Sequence, residues 1–272
     1  ICDLLAKEDK RIVVIHQNNG GLSRARNAGM QIMTGDFVVF VDSDDVLEEK
    51  FVENLLRLSY KYQAEIVVCQ NSIFTKKKGV VHLHNQDRIE EKCFNTSDAI
   101  KEMLYQKEYD VAAWGKLYRS ETLKGVTFPA GLIHEDIPTT YKIFLNANNV
   151  VYTSEELYRY QIRDNSIENE KFTPKKMDCI TTSQMMLDDI STNYPEYLKA
   201  ARSRYVAAHF HILAQIKQNF PERVLIIRNI KSVRKMVIRD KAATTRVRIA
   251  CILSYFGFRT TVKVLNFVKS KH

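Results

Sequence analysis

The chain lacks the marks of a cross-linked or metal-stapled small domain. Its five cysteines, Cys2, Cys69, Cys93, Cys179 and Cys251, are scattered over 272 residues with no CxxC pair. Neither a disulfide framework nor a zinc site is expected from that spacing, which suits a reducing cytoplasm. No apolar run approaches the roughly 20 residues that a helix needs to span a bilayer, so no transmembrane segment is expected. Internal repeats and low-complexity tracts are absent. No recognition motif accompanies the positive charge, so nucleic acid is not an expected partner. A starting Met is also missing: Ile1 opens inside an amphipathic helical pattern, ICDLLAKED, followed by the strand-like RIVVIH. That order implies a further strand before Ile1.

What is present is uneven. The net charge is +9. Residues 217–272 hold fourteen Lys and Arg against Glu222 and Asp240, a balance of +12 that leaves about −3 for the rest. Ile12–His16 reads as a strand, NNGGLSRARNAGMQIMTG as a glycine-bearing turn and a helix capped by Gly35, and Phe37–Val41 as a strand buried on both faces. Leu47–Gln63 has helical periodicity and Glu65–Cys69 is a short apolar strand, giving a βαβαβ alternation. FTKKKGVVHLH reads as a hairpin with a basic turn, and NTSDAIKEMLYQ as a helix capped by Thr96 or Ser97. HEDIPTTYKIFLNAN reads as a helix with Pro138 in its first turn, and NVVYTSEELYRYQIR as a strand. From Pro174 onward the pattern is helical, with breaks near Pro195, Pro221 and Gly257. The organisation expected is an α/β part over residues 1–169 and a basic helical extension over 170–272.

Chemistry concentrates where the strand Phe37–Val41 ends. Asp42, Asp44 and Asp45 crowd into four positions at the carboxyl end of a buried strand, where open α/β sheets place their ligands. One aspartate would suffice to cap the helix that follows, whereas three repel each other unless a cation sits among them. Asp42 and Asp44 are therefore candidate ligands of magnesium or manganese, held together with substrate phosphates. Trp114, the sole tryptophan, offers an aromatic face to a sugar ring, and Lys116 a cation to a phosphate; both serve equally as core packing or structural charge. Arg163 could meet a diphosphate or pair with Glu155 or Glu156.

The run VIHQNNGGLSRARNAGMQIMTGDFVVFVDSDD resembles the core of the family 2 glycosyltransferases, bacterial enzymes of the GT-A fold that build polysaccharides. AAWGKLYRSETL, FPAGLIHEDIPTTYKIFLNANNVVY and LYRYQIRDNSI resemble later segments of that family in the same order, so the likeness covers about Ile1 to Ile167. It implies a Rossmann-like, mostly parallel sheet flanked by helices, lacking its first strand and the Asp-Asp-Gly turn that binds base and ribose. By that resemblance Asp42 and Asp44 hold the metal and the nucleotide-sugar donor, and Asp136 is the catalytic base, next to Glu135 on the acceptor side with Trp114 and Lys116. Gly20, Gly21, Arg26 and Asn27 border the donor, where glycines admit close backbone approach and a helix start favours anions. Arg26 and Asn27 serve equally as a hydrogen-bond network anchoring their helix, and His134 as a satisfied structural histidine.

The function this implies is an inverting transfer from a nucleotide diphosphate-sugar, a UDP-sugar by expectation, to a saccharide or lipid-linked saccharide in cell-surface polysaccharide synthesis. A nucleotidyltransferase, or a non-catalytic remnant that docks on membranes or partners, are the rivals from other classes. Apolar residues Val233, Met236, Val237, Ile249, Ile252, Leu253 and Phe256 recur at helical spacing among the Lys and Arg of the extension. Basic amphipathic helices of this kind lie on anionic membrane surfaces, which predicts a peripheral protein of the inner membrane face; a plain helical cap fits the same pattern.

Overall fold

A computed structural model describes residues 1–75, 79–83, 87–162 and 172–269. The chain begins with α1 (Cys2–Glu8) and α2 (Gly21–Ile32), then β1 (Phe37–Val39), β2 (Val46–Leu47) and α3 (Phe51–Tyr62). It continues through β3 (Ile66–Thr75), β4 (Gly79–Val81), β5 (Glu91–Asn95), α4 (Thr96–Tyr105), β6 (Lys116–Arg119), α5 (Thr140–Leu145) and β7 (Asn149–Gln161). Five helices follow: α6 (Asp178–Asn193), α7 (Leu198–Gln215), α8 (Arg223–Arg239), α9 (Thr245–Phe256) and α10 (Phe258–Lys269).

The sheet order is β1-β6-β3-β7-β2, with β4 on β3 and β5 on β7. The expected mostly parallel sheet is instead mixed: among the described residues only β3 and β7 pair in parallel. The reason is β6, which enters between β1 and β3 and runs against both. β1, β3 and β7 still share one direction, so their carboxyl ends open on one edge, and the site forms there.

Alternation along the central strands explains their apolar runs. Ile66 and Val68 of β3, Tyr118 of β6 and Val150 and Tyr152 of β7 face a large core with α4, α5 and the C-terminal helices. Val67, Cys69, Leu117 and Val151 face the opposite way, onto Phe51, Leu55 and Leu58 of α3. A strand covered on both faces needs no polar alternation, hence the sequence IVVC. The large core runs unbroken from Ile100 and Met103 of α4 to Ala201 and Val206 of α7 and Ile226 and Ile230 of α8.

Several local expectations change. Ile12–His16 is not a strand, because no strand among the described residues lies alongside to take its backbone hydrogen bonds. The α2 helix stops at Ile32 with Met33 extended, ahead of Gly35. The cap of α4 is Asn95, whose side chain accepts from the Asp98 amide at 2.9 Å, rather than Thr96 or Ser97. The HED segment forms successive turns and α5 begins only at Thr140; Ile137 precedes Pro138, whose ring disfavours the helical conformation there. The hairpin pairs Ile73–Thr75 with Gly79–Val81, while its basic turn and Arg163 lie outside the described residues. In the extension, Val233 and Val237 are buried, whereas Met236, Ile249, Ile252 and Phe256 are exposed. Among the described residues no helix is long and apolar enough to cross a membrane.

Candidate active site

Four of the expected site residues meet on one guanidinium. Arg26, projecting from α2 with a side chain only 5% exposed, donates to Asp42 at 3.1 Å, to Glu135 at 2.8 Å and to Asp136 at 2.5 Å. Its apolar flank lies against the rings of Phe128 and Phe40, 5.3 and 5.8 Å from their centroids. Burial pulls the Arg26 pKa down, but the three carboxylates outweigh it and leave it raised. One cation among three acids leaves the group net negative, so the site is suited to a further cation or to protonated species.

Asp136 sits at the junction. One carboxylate oxygen faces Arg26 and the other accepts from the Ala113 amide at 3.3 Å. Burial and the neighbouring Glu135 charge raise its pKa against the pull of Arg26, up to about 7. A carboxylate that exchanges its proton near neutrality is matched to general base work. His134, just before this pair, adopts φ +60, and burial together with the Arg204 charge lowers its pKa to about 4. Glu135 turns inward to Arg26 and does not line the neighbouring cleft.

The acidic turn is tied to the sheet by a residue that pattern reading missed. Tyr158 of β7 donates its hydroxyl to Asp45 at 2.7 Å and receives the Asp42 amide at 3.2 Å. Asp45 also accepts from the Gln161 amide at 2.9 Å. That settles Asp45 as a clamp between turn and strand. Asp42 and Asp44 remain half-buried beside it. Among the described residues no group of three or more His, Cys, Asp or Glu could hold a metal alone.

The remaining expected residues spread around this centre. Asn27 engages both ends of its amide with the Phe128 backbone, at 2.8 and 2.9 Å, which anchors α2 rather than facing a ligand. Gly20 and Gly21 form the start of α2. Gly21 has φ +80 with nothing within 4 Å of a built Cβ, so the glycine serves the turn and leaves open space above it. Trp114 stacks on Tyr158 and Tyr160 at centroid distances of 4.7 and 5.5 Å. Lys116 is buried and donates to the Ala112 carbonyl at 2.6 Å, and burial lowers its pKa. Both line a cavity of about 640 Å³ between the sheet edge and α7, α9 and α10.

Residues 1–126 match the family model described as Glycosyl transferase family 2, and that part of the chain belongs to the family. It is 31% identical over 210 residues to Glycosyltransferase GlyA of Streptococcus pneumoniae serotype 4, covering 74% of this chain and 30% of GlyA. To Glycosyltransferase GlyG of the same organism it is 28% identical over 183 residues, 63% of this chain and 59% of GlyG. The chain thus spans from under a third to about three-fifths of these curated relatives. Among solved structures it is similar to S. aureus TarS 1–349 in complex with UDP-GlcNAc. That match has a TM-score of 0.66 at 18% identity and covers 99% of this chain and 80% of that one. The shared fold is GT-A, a mixed α/β sheet flanked by helices and followed by C-terminal helices.

Proposed function

We propose that the chain transfers a sugar from a nucleoside diphosphate-sugar to a hydroxyl of a saccharide or lipid-linked saccharide, inverting the anomeric carbon. The observation that carries this reading is Asp136, a carboxylate joined through Arg26 to the acidic turn and held by the Ala113 amide next to Trp114 of the cleft wall, with its pKa raised to about 7. In the reaction the acceptor oxygen forms a bond to the anomeric carbon and the bond from that carbon to the phosphate oxygen breaks. The nucleoside diphosphate leaves with the bonding electrons, and the acceptor proton passes to Asp136. A single displacement of this kind inverts the centre. The donor reading of a UDP-sugar draws on the relative TarS, whose structure holds UDP-GlcNAc.

Asp42 and Asp44, two residues apart on an exposed-edge turn, would hold magnesium or manganese. Two carboxylates, with no group of three metal-ligating side chains among the described residues, fit a hard cation that completes its shell with phosphate oxygens and water. When bound, such an ion neutralises charge building on the leaving diphosphate. Arg26 holds Asp42 and Asp136 at a fixed separation, so turn and base keep their relation.

The reading extends to an anionic membrane surface carrying the acceptor. It is supported by exposed Ile249, Ile252, Tyr255 and Phe256 on α9 and by exposed Arg228, Lys231, Lys235 and Arg239 on α8. The decisive experiment concerns the base. Asp136→Asn should keep donor affinity, measured by calorimetry with a UDP-sugar and manganese, and lose about 10²- to 10⁴-fold in turnover. Turnover equal to wild type removes Asp136 from the role and the reading with it.

A further inference from the structure

The cavity next to the Asp136 segment carries two arginines, Arg204 and Arg246, that no carboxylate pairs with among the described residues. Arg204 of α7 lines it, and its Nε is buried without a hydrogen-bond partner. Among the described residues no carboxylate lies within ion-pair distance of Arg204, nor of Arg246, an exposed residue of α9 that lines the same cavity. The acids of the wall are already engaged. Glu108 pairs with Lys92, and Asp110 accepts from the Ala112 amide at 2.9 Å and lies near the buried Lys116. A buried guanidinium nitrogen left unpaired costs free energy, and an anionic oxygen supplied from outside would recover it.

The place of Arg204 is equally specific. Its charge acts on His134, two residues before Asp136, and the cavity is walled by Trp114, which follows the Ala113 amide bound to Asp136. The cavity wall thus starts one residue from the amide that holds one oxygen of Asp136, and the acidic turn is joined to its other oxygen through Arg26. A planar guanidinium fork suits a phosphate, which takes two hydrogen bonds in parallel.

We propose that this cavity binds the acceptor by a phosphate group, held by Arg204 and Arg246 beside the sugar ring that meets Trp114. This rests on the transferase reading above. The phosphate could belong to the acceptor sugar itself or to a lipid diphosphate carrier, and both present the same chemistry to Arg204.

The test uses the full chain without donor or metal. Trp114 is the sole tryptophan, so its fluorescence reports cavity occupancy. Glucose 6-phosphate represents the first source and farnesyl diphosphate the second, with glucose and farnesol as uncharged counterparts. At least one phosphorylated probe should bind saturably, about tenfold or more tighter than its counterpart, and Arg204→Gln should raise its Kd about tenfold or more. Arg246→Gln, at an exposed position, should raise it about threefold with the fold intact. Asp44→Asn, in the acidic turn, should leave it unchanged. Whichever probe responds identifies the source. Equal binding of charged and uncharged probes, or wild-type Kd in both arginine variants, overturns the proposal. Because no turnover enters the measurement, that failure leaves the transferase reading standing. Full turnover in Asp136→Asn would instead remove the transferase reading while phosphate binding persisted.

Discussion

Replacing Arg26 by Met tests whether one guanidinium holds the site together. The substitution keeps an unbranched apolar stem against Phe128 and Phe40 but leaves Asp42, Glu135 and Asp136 facing each other without a cation. Side-chain exposures of 7% for Glu135 and 17% for Asp136 mean that water cannot replace the lost partner fully. Removing one member of a buried charge cluster costs about 3–5 kcal/mol. For a chain of this size that is a fall in Tm on the order of 10 °C. Loss of the ring contacts adds about 0.5–2 kcal/mol that does not depend on pH.

The electrostatic part does depend on pH. Without Arg26 the carboxylates hold protons more tightly in the folded chain than in the unfolded one, so the folded state binds more protons and stability falls as pH rises. The deficit should be full above the raised folded-state pKa values and shrink as pH drops toward the unfolded value of about 4. Thermal and urea unfolding of wild type and variant at pH 8 and pH 5 measures it. A variant unfolded at pH 8 should refold at pH 5. A deficit that is equal at both pH values, or below about 1 kcal/mol, refutes the idea that Arg26 balances these three acids.

Two further outcomes follow from the same geometry. As the proposed base, Asp136 would have to be ionised, and its pKa is raised to about 7, so kcat/KM should be level above pH 7 and fall about tenfold per pH unit below it; a profile flat down to pH 5 contradicts the proposal. Phe256, 78% exposed on α9, should matter for membrane contact: Phe256→Asp should weaken flotation with anionic vesicles even at low salt, and wild-type protein that ignores such vesicles would reduce the extension to a cap.

Much of the fold could be read in one dimension because burial on both faces writes itself into consecutive residues. Ile66–Cys69 is such a run, and the helices after Pro174 break at Gly257, which takes φ +128. Pairing is another matter. Phe37 meets Arg119 and Val39 meets Leu117, partners chosen by the path of the chain between them and not by any local pattern. The site divides the same way. Asp42 stands out because three carboxylates crowd into four positions after an apolar run, and Asp136 because its segment resembles a family motif. That Arg26 bridges them across 16 and 110 residues is a tertiary fact. Tyr158 was illegible for a similar reason: its ring satisfies strand alternation, while its hydroxyl finds Asp45 across 113 residues. Arg204 sits in α7 near Lys199 and Arg202, where one more arginine reads as surface charge.

The large core that joins α4 to α7 and α8 has a consequence for how the molecule comes apart. Met103 and Leu104 are shielded from water together with Ala201, Val206 and Leu213, in one cluster. Cutting the chain after β7 would leave α4 and α5 on the sheet but expose the apolar side that α4 turns to α7, so residues 1–162 would lose part of their core. Melting should be a single cooperative event, and the amides of α4 and α7 should exchange with solvent at the same slow rate. The α9 and α10 helices, whose outer faces carry exposed Ile252, Phe256 and Phe267, are where opening would begin. Any partner that grips that outer layer would slow the opening of the whole protein.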